Sequence, residues 1–256
     1  MTIRGAIWQF PVSLDIQSNL KAIIRGLQAA KPETLLVMPE GAISGYAPEQ
    51  DLVSKLDPGA IERAIDTVRN EVKARGVHLV VGTCLHDGGA WRNSSLYIRP
   101  DGTISRYDKL NLAMSERGSF MPGNELTVFA TRIGGRDTVL GIQMCREIKY
   151  PEQWAGVAQK GAAVIAFLNN AVGDESISPI WKSHLVSRAA ETQRFILAAN
   201  NAAPDQKCPS MIISPSGQIL ADLDPGPEHG ACCELDLPLV SDWILGQRRN
   251  DLFRVT

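Results

Sequence analysis

Apolar and polar positions in the first half of the chain follow two patterns, one typical of buried strands and the other of amphipathic helices. Short continuous apolar runs predict strands at 3–8, 34–38 and 77–83. A helix face between the first two strands is formed by Leu20, Ile23, Ile24 and Leu27. A second helix is predicted to begin with Asp57 as N-cap and Pro58 at the first helical position. A hairpin around Pro-Asp-Gly is predicted at 95–106.

The second half repeats this order of elements, although its residues differ. Strands are predicted at 139–144, 163–168 and 195–199, helices at 151–160 and 181–194, and a hairpin at 211–221. Both halves are therefore β-α-β-α-β-hairpin. Because no low-complexity segment or long linker divides the chain, we predict one domain over residues 1–256. The simplest α/β architecture is two mixed sheets packed face to face, each covered outside by helices, which makes a four-layer α-β-β-α sandwich.

Reactive or polar side chains stand where three of the predicted strands end. Glu40 follows the strand at 34–38, Cys145 follows the strand at 139–144, and Asn170 follows the strand at 163–168. In α/β folds, functional sites lie beyond the carboxyl ends of strands. We therefore expect one shared cleft.

Each of the two reactive candidates has a second interpretation. Glu40 is either a solvated loop carboxylate or a general base whose pKa is raised at the rim of the core. Cys145 is either a buried structural thiol or a nucleophile on a sharp strand-to-helix turn, because a helix must begin at Pro151 within a few residues.

Lys109 and Glu116 are by themselves ordinary surface residues. Glu116, however, lies within 113–123, a stretch too rich in polar and small residues for a regular element. Long ordered loops in compact domains are often functional.

Composition and charge exclude several classes of function. The net charge of −2, without a basic run, gives no reason to expect nucleic acid or an anionic membrane as partner. No apolar stretch reaches the ~20 residues of a membrane span, and the N-terminus has no signal core. The five cysteines are odd in number and irregularly spaced, so we expect no metal site or disulfide framework, and a reducing, cytoplasmic location. We also expect no cofactor.

A Cys-His transferase or protease is a competing class for the thiol. It would need one of the four histidines close to Cys145, and none has a sequence context that marks it as a base.

Several segments, in order along almost the whole chain, together resemble the nitrilase superfamily of carbon–nitrogen hydrolases. They are AIWQFPVSLDIQSNL, LLVMPEGAISGY, NSSLYIRPDGTISRYDKLNL, SERGSFMPG, GIQMCREIKYPEQW, HLVSRAAETQRFILAANN and QRRNDLF. The resemblance implies that Glu40 is the base, Lys109 the catalytic lysine, Cys145 the nucleophile and Glu116 the fourth member. It also implies the α-β-β-α sandwich and a homodimer, formed mainly by the helices at 151–160 and 181–194 and sometimes assembled further into a higher homo-oligomer.

Some positions depart from the family pattern. Many members carry His where this chain has Asn111, and the pair Arg146-Glu147 replaces an aromatic residue or Asn followed by an acid. We therefore expect the chemistry of the family but leave the substrate subclass open.

The resulting expectation is an amidase that cleaves small carboxamides through a thioester. The pocket-lining candidates are Tyr46, Phe120, Arg146 and Asn170. Arg146 alternatively makes structural contacts with Glu147 or Glu152. The other functions that stay open are a nitrilase, an N-carbamoyl hydrolase, and a non-catalytic relative that serves as a binding module.

Overall fold

The computed structural model describes residues 1–47, 49, 51–249 and 251. Their strands are β1 (Thr2–Gln9), β2 (Thr34–Val37), β3 (His78–Asp87), β4 (Ala90–Ile98), β5 (Ile104–Asp108), β6 (Val128–Ile133), β7 (Arg136–Met144), β8 (Val164–Asn169), β9 (Phe195–Asn200), β10 (Ser210–Ile213), β11 (Ile219–Leu223) and β12 (His229–Asp236). Their α-helices are α1 (Ile16–Ala29), α2 (Pro58–Arg75), α3 (Pro151–Gln159), α4 (Ile177–Thr192) and α5 (Trp243–Gly246).

The strands form two mixed sheets, as predicted, and each sheet contains six strands. The first has the order β12-β1-β2-β3-β4-β5 and the second β11-β10-β9-β8-β7-β6. In each sheet the three consecutive strands joined by helices are parallel, and the hairpin strands are antiparallel. The two sheets therefore have the same design, although β12, from the C-terminal end of the chain, joins the first sheet.

Three apolar layers hold the sandwich together. Inward-facing residues of both sheets, among them Ile7, Val37 and Leu168, form the central core. Alternate residues of the first sheet pack against α1 and α2, and those of the second sheet pack against α3 and α4. This confirms the α-β-β-α sandwich, since each sheet is buried on both faces.

The sequence pattern missed two edge strands, β6 and β12. In β12 buried or half-buried residues alternate with exposed ones, and the strand contains Gly230 and two cysteines, so it lacks a continuous apolar run. Both strands add to the edge of a sheet by antiparallel pairing, β12 to β1 and β6 to β7. Edge pairing requires little hydrophobic signal, because one side of the strand has no neighbour.

The start of α2 follows the predicted capping. The Asp57 carboxylate accepts a hydrogen bond from the backbone N–H of Ala60 at 3.1 Å, and Pro58 is the first helical residue. The helix ends at Gly76, which has a φ of 64° as a left-handed cap.

Gly82 on β3 lies directly against the segment that carries Glu40. Its N–H donates to the Pro39 carbonyl at 3.1 Å, and its carbonyl accepts from the Ile43 N–H at 3.0 Å. A Cβ atom at this position would lie 2.5 Å from the Gly41 nitrogen and 2.6 Å from the Glu40 Cα. The close approach of two backbones therefore requires glycine here.

We expect Gly82→Ala to lower the free energy of unfolding by about 1–3 kcal/mol, because the added methyl group meets backbone atoms that cannot rotate away. Thermal and urea unfolding measure this. The matched control is Gly59→Ala in α2, where a Cβ would meet only the flexible end of Arg63 and a side-chain oxygen of Asp57 at 3.3 Å or more. Equal stability of the two variants would contradict the close-approach account.

Candidate active site

Four side chains singled out in the sequence converge at one end of the sandwich. Glu40 follows β2, Lys109 follows β5, Glu116 lies in a 3-10 turn at Met114–Glu116, and Cys145 follows β7. The Lys109 Nζ lies 2.8 Å from the Glu40 Oε1 and 3.0 Å from both carboxylate oxygens of Glu116. The lysine and both glutamates are almost fully buried. The ammonium group is thus enclosed between two carboxylates.

Asn93 is a further member of this cluster that the sequence analysis missed. It lies in the middle of β4, is buried, and its Nδ2 donates to the Glu40 Oε1 at 2.7 Å and also to the Glu116 Oε1. The other oxygen of Glu40, Oε2, has no hydrogen-bond partner among the described residues. One oxygen of Glu40 is therefore held by Lys109 and Asn93, and the other is free to accept a proton.

Cys145 occupies a sharp turn between β7 and the 3-10 turn Cys145–Lys149, which leads into α3. Its φ is +39°, which is uncommon for a residue other than glycine. Such backbone strain costs on the order of 1–3 kcal/mol and persists only where surrounding contacts enforce it. The thiol is half-buried, and its Sγ lies 4.0 Å from the backbone oxygen of Asn170.

The surroundings of Cys145 favour the neutral form of its thiol. Burial raises the pKa of Cys145 well above its ordinary value, and the negative charge of Glu40 raises it further. The ammonium of Lys109 lowers the pKa of Cys145 in part, but the net direction remains upward. Cys145 therefore interacts electrostatically with both Glu40 and Lys109, and nucleophilic attack by this sulfur requires removal of its proton.

The buried charges also shift the pKa values of Glu40 and Lys109. Burial raises the pKa of Glu40, and the charge of Lys109 offsets part of that rise. Burial alone would lower the pKa of Lys109, but the nearby carboxylates of Glu40 and Glu116 raise it well above its ordinary value. Lys109 is therefore a permanent cation beside a carboxylate of increased basicity.

An apolar wall lies beside the charged cluster. The ring centroid of Tyr46 is 6.0 Å from the Lys109 Nζ. Tyr46 packs with Phe120, Leu52, Cys84 and Leu112 in a small cluster separate from the three main layers. The wall excludes water from one side of the lysine, which strengthens the local electrostatic interactions.

The remaining predicted pocket residues differ in their surroundings. Asn170 is buried, and its side-chain oxygen accepts from the side-chain amides of Asn201 and Gln206. Arg146 is half-buried and makes no ion pair with Glu147 or Glu152 within the described part of the chain. The alternative of a structural ion pair for Arg146 therefore finds no contact to support it.

The four histidines, all within the described ranges, make other contacts. The Nδ1 of His78 lies 2.8 Å from the Tyr97 hydroxyl, and the Nε2 of His184 lies 3.3 Å from the Lys149 Nζ. His229 contacts the Pro227 carbonyl, and His86 packs against the Trp91 ring. None of them is a hydrogen-bond partner of Cys145 in the described residues.

The described ranges contain no group of three or more His, Cys, Asp or Glu residues arranged to hold a metal ion. They also contain no helix with the length and hydropathy to cross a bilayer.

Comparison with known proteins identifies the class. The profile of the carbon–nitrogen hydrolase family matches residues 4–245. The chain is 30% identical to an (R)-stereoselective amidase of Pseudomonas sp. over 212 residues, and this aligned region covers 80% of this chain and 75% of that protein. It is 28% identical to a nitrilase of Pyrococcus abyssi over 229 residues, and this aligned region covers 86% of this chain and 83% of that protein.

A solved structure with the same fold is a cysteine-to-alanine mutant of the amidase from Nesterenkonia AN1, from the nitrilase superfamily. The TM-score is 0.84 at 24% identity, over 98% of this chain and 95% of that one. The chain belongs to the carbon–nitrogen hydrolase family, and the resemblance to amidase-like members of the nitrilase superfamily is confirmed. It is therefore an enzyme that hydrolyses carbon–nitrogen bonds.

We expect Asn93→Leu to raise the pKa of Glu40 further, because the carboxylate loses a hydrogen-bond donor while remaining buried. An NMR titration of protein labelled at glutamate carboxyl carbons measures this pKa, and Glu40→Gln assigns the resonance. Glu116 is followed in the same spectra, since neighbouring carboxylates titrate together.

The control for that titration is Asn200→Leu. Asn200 is also a buried asparagine, but its side-chain amide donates to the Cys208 carbonyl and not to a carboxylate. An unchanged Glu40 pKa in Asn93→Leu, or an equal shift in both variants, would refute the role given to Asn93.

Proposed function

We propose that residues 1–256 form a single hydrolase domain that cleaves small carboxamides to a carboxylic acid and ammonia through a thioester on Cys145. The observation that carries this proposal is the Oε2 of Glu40, which has no hydrogen-bond partner in the described part of the chain. It belongs to a buried carboxylate of raised pKa that contacts Lys109 and interacts electrostatically with the Cys145 thiol. The amidases among the relatives of this chain support the choice of an amide as substrate.

In the first step Glu40 acts as the general base. It takes the proton of the Cys145 thiol as the sulfur attacks the amide carbonyl carbon. The base is needed because burial and the charge of Glu40 raise the pKa of the thiol, which disfavours a thiolate before the substrate reacts. The raised pKa of Glu40 makes its ionised form a stronger base for this transfer.

Two groups stabilise the oxyanion that forms on the substrate. Lys109 supplies a buried cationic donor, held in place by Glu40 and Glu116. The backbone N–H of Arg146 supplies the second donor, because the first N–H groups of a helical turn have no acceptor within that turn. Removing one such donor typically costs about 10²–10³-fold in rate.

Glu40 then gives its proton to the departing nitrogen, and ammonia leaves with both electrons of the broken carbon–nitrogen bond. In the second half Glu40 takes a proton from water as the water attacks the thioester. The carbon–sulfur bond then breaks, the carboxylic acid leaves, and Glu40 returns the proton to the Cys145 sulfur to regenerate the thiol. Glu116 orients Lys109 through the contacts at 3.0 Å. The chemistry uses only groups of this chain and water.

Tyr46 and Phe120 form the apolar side of the proposed substrate pocket. Both belong to the apolar cluster beside Lys109. Arg146, unpaired with Glu147 or Glu152, and Asn170, whose backbone oxygen faces the Cys145 sulfur, complete the proposed lining. A nitrilase is the second candidate within the family, favoured by the similarity to the nitrilase of Pyrococcus abyssi.

The central test is ammonia release from matched amides, nitriles and N-carbamoyl compounds, by wild type and by Cys145→Ala. We expect wild type to hydrolyse small amides fastest, and Cys145→Ala to lose about 10⁴-fold or more in kcat because the nucleophile is gone. The matched control is Cys233→Ala on β12, whose sulfur contacts the Leu220 carbonyl and which we expect to keep its activity.

Each other outcome of that assay points to a different function. Faster turnover of nitriles than of amides would favour the nitrilase. Faster turnover of N-carbamoyl compounds would favour the carbamoyl hydrolase. No turnover by wild type would favour the non-catalytic binding module, and activity retained in Cys145→Ala would refute the thioester mechanism.

We also propose a homodimer built on the outer face of α3 and α4. Trp243 and Ile244 in α5 are 69% and 42% exposed, and the Ile244 N–H donates to the Gln193 side chain at the end of α4. Exposed large apolar side chains beside a helix layer are typical of an interface. We expect light scattering to give twice the chain mass of 27.8 kDa, and a monomer at micromolar concentration would contradict this proposal.

The proposed place of action is the cytoplasm. All five cysteines are unpaired, and the reaction needs Cys145 reduced.

A further inference from the structure

Glu147, two residues after the nucleophile, is a fully buried carboxylate that the mechanism above does not use. Its Oε1 accepts from the backbone N–H of Leu110 at 2.7 Å and that of Asn111 at 3.3 Å. Its Oε2 accepts from the backbone N–H of Met144 at 2.7 Å. Each carboxylate oxygen therefore holds a different stretch of the backbone.

These two stretches carry the catalytic candidates. Leu110 directly follows Lys109 at the end of β5, in the first sheet, and Met144 directly precedes Cys145 at the end of β7, in the second sheet. The Glu147 side chain thus joins the ends of two strands from opposite sheets at the point where the lysine and the thiol must meet.

A second set of hydrogen bonds fixes the carboxylate itself. The Tyr107 hydroxyl lies 2.9 Å from the Glu147 Oε1 and 3.0 Å from Oε2. That hydroxyl accepts from the Gln153 Nε2 at 2.9 Å, and the Gln153 Oε1 accepts from the Asn111 Nδ2 at 2.6 Å. Glu147, Tyr107, Gln153 and Asn111 therefore close a ring of hydrogen bonds, and Asn111 stands where many family members carry histidine.

The surroundings of Glu147 require an acceptor at both oxygens. Three of its partners are backbone N–H groups, which can only donate. Glutamine at this position has the same size but turns an NH₂ group towards at least one of these donors. The loss would leave a buried N–H without an acceptor and push the two strand ends apart.

We propose that Glu147 is a positioning residue that sets the placement of Cys145 relative to Lys109 without contacting the substrate. The positive φ of Cys145 fits this role, because a strained turn persists only where neighbouring contacts hold it. The inference rests on the proposed function for its effect on turnover, but the geometry it describes can also be tested on the thiol alone.

The test compares Glu147→Gln with Glu147→Asp. We expect the glutamine variant to lose about 10- to 100-fold in kcat, with a much smaller change in KM, because small displacements of reacting groups have effects of this size. We expect the aspartate variant, which keeps both acceptors, to recover part of that loss. The rate of Cys145 alkylation by iodoacetamide should likewise be highest in wild type, lower in Glu147→Asp and lowest in Glu147→Gln.

Thermal unfolding separates positioning from simple instability. The kinetic values are taken at a temperature where each variant is fully folded, as judged by circular dichroism. The matched pair is Tyr107→Phe, which removes one hydroxyl from Glu147, and Tyr97→Phe, which removes a buried hydroxyl that bonds to His78 and Thr131 elsewhere. We expect only Tyr107→Phe to lower kcat and the alkylation rate, and this pair decides the matter if Glu147→Gln does not fold.

Three results would overturn the proposal. The first is a normal kcat and a normal alkylation rate in folded Glu147→Gln. The second is a kcat in Glu147→Asp that is no higher than in Glu147→Gln. The third is an equal effect of Tyr107→Phe and Tyr97→Phe on kcat and on the alkylation rate. If wild type hydrolyses no amide, the proposed function fails, but iodoacetamide alkylation needs no amide turnover and still tests Glu147.

Discussion

The enclosure of the Lys109 ammonium between Glu40 and Glu116 is the constraint on which the rest of the site depends. A buried ammonium without partners costs several kcal/mol, and removal of one partner from a buried ion pair typically costs about 3–5 kcal/mol. The end of β5, the end of β2 and the loop at 113–123 must therefore meet at one place. This arrangement leaves one Glu40 oxygen without a hydrogen-bond partner among the described residues.

The sandwich supplies this meeting point through the symmetry of its two sheets. Glu40 and Lys109 come from the first sheet, and Cys145 comes from the second. Chemistry at the seam between two sheets depends on contacts that cross it. The central apolar core sets the spacing of the sheets, and the carboxylate of Glu147 joins their strand ends where the reacting groups stand.

Much of this could be predicted from the sequence because it rests on local pattern. Glu40 and Cys145 each follow a buried apolar run that predicts a strand. Residues at the carboxyl ends of such strands lie on the same side of an α/β fold, so the sequence alone predicts that the two are close. The cap at Asp57 and the repeated order of elements are also local signals. The catalytic roles of Lys109 and Glu116 were predicted only from the resemblance to the family, because the sequence around each residue is that of an ordinary surface residue.

Other features could not be predicted because they depend on burial and on partners distant in sequence. Asn93 lies in a run of small polar residues that resembles a solvent-facing strand, and only the packed sheet shows that it faces two carboxylates. Glu147 stood out in the sequence as a marker of substrate subclass, whereas its contacts are with backbone groups on both sheets. The edge strand β12 lacks an apolar run, and the pairing with β1 defines it.

The measurement that tests the central claim most directly is the mass of the protein during turnover. Acid quenching of the enzyme with excess amide, followed by intact-mass and peptide analysis, reveals any covalent intermediate. The account predicts an increase by one acyl group on the peptide that carries Cys145, formed as ammonia is released and lost on further incubation. Ammonia release under conditions where an acyl-enzyme should accumulate, with no such adduct or with the adduct on another residue, would contradict it.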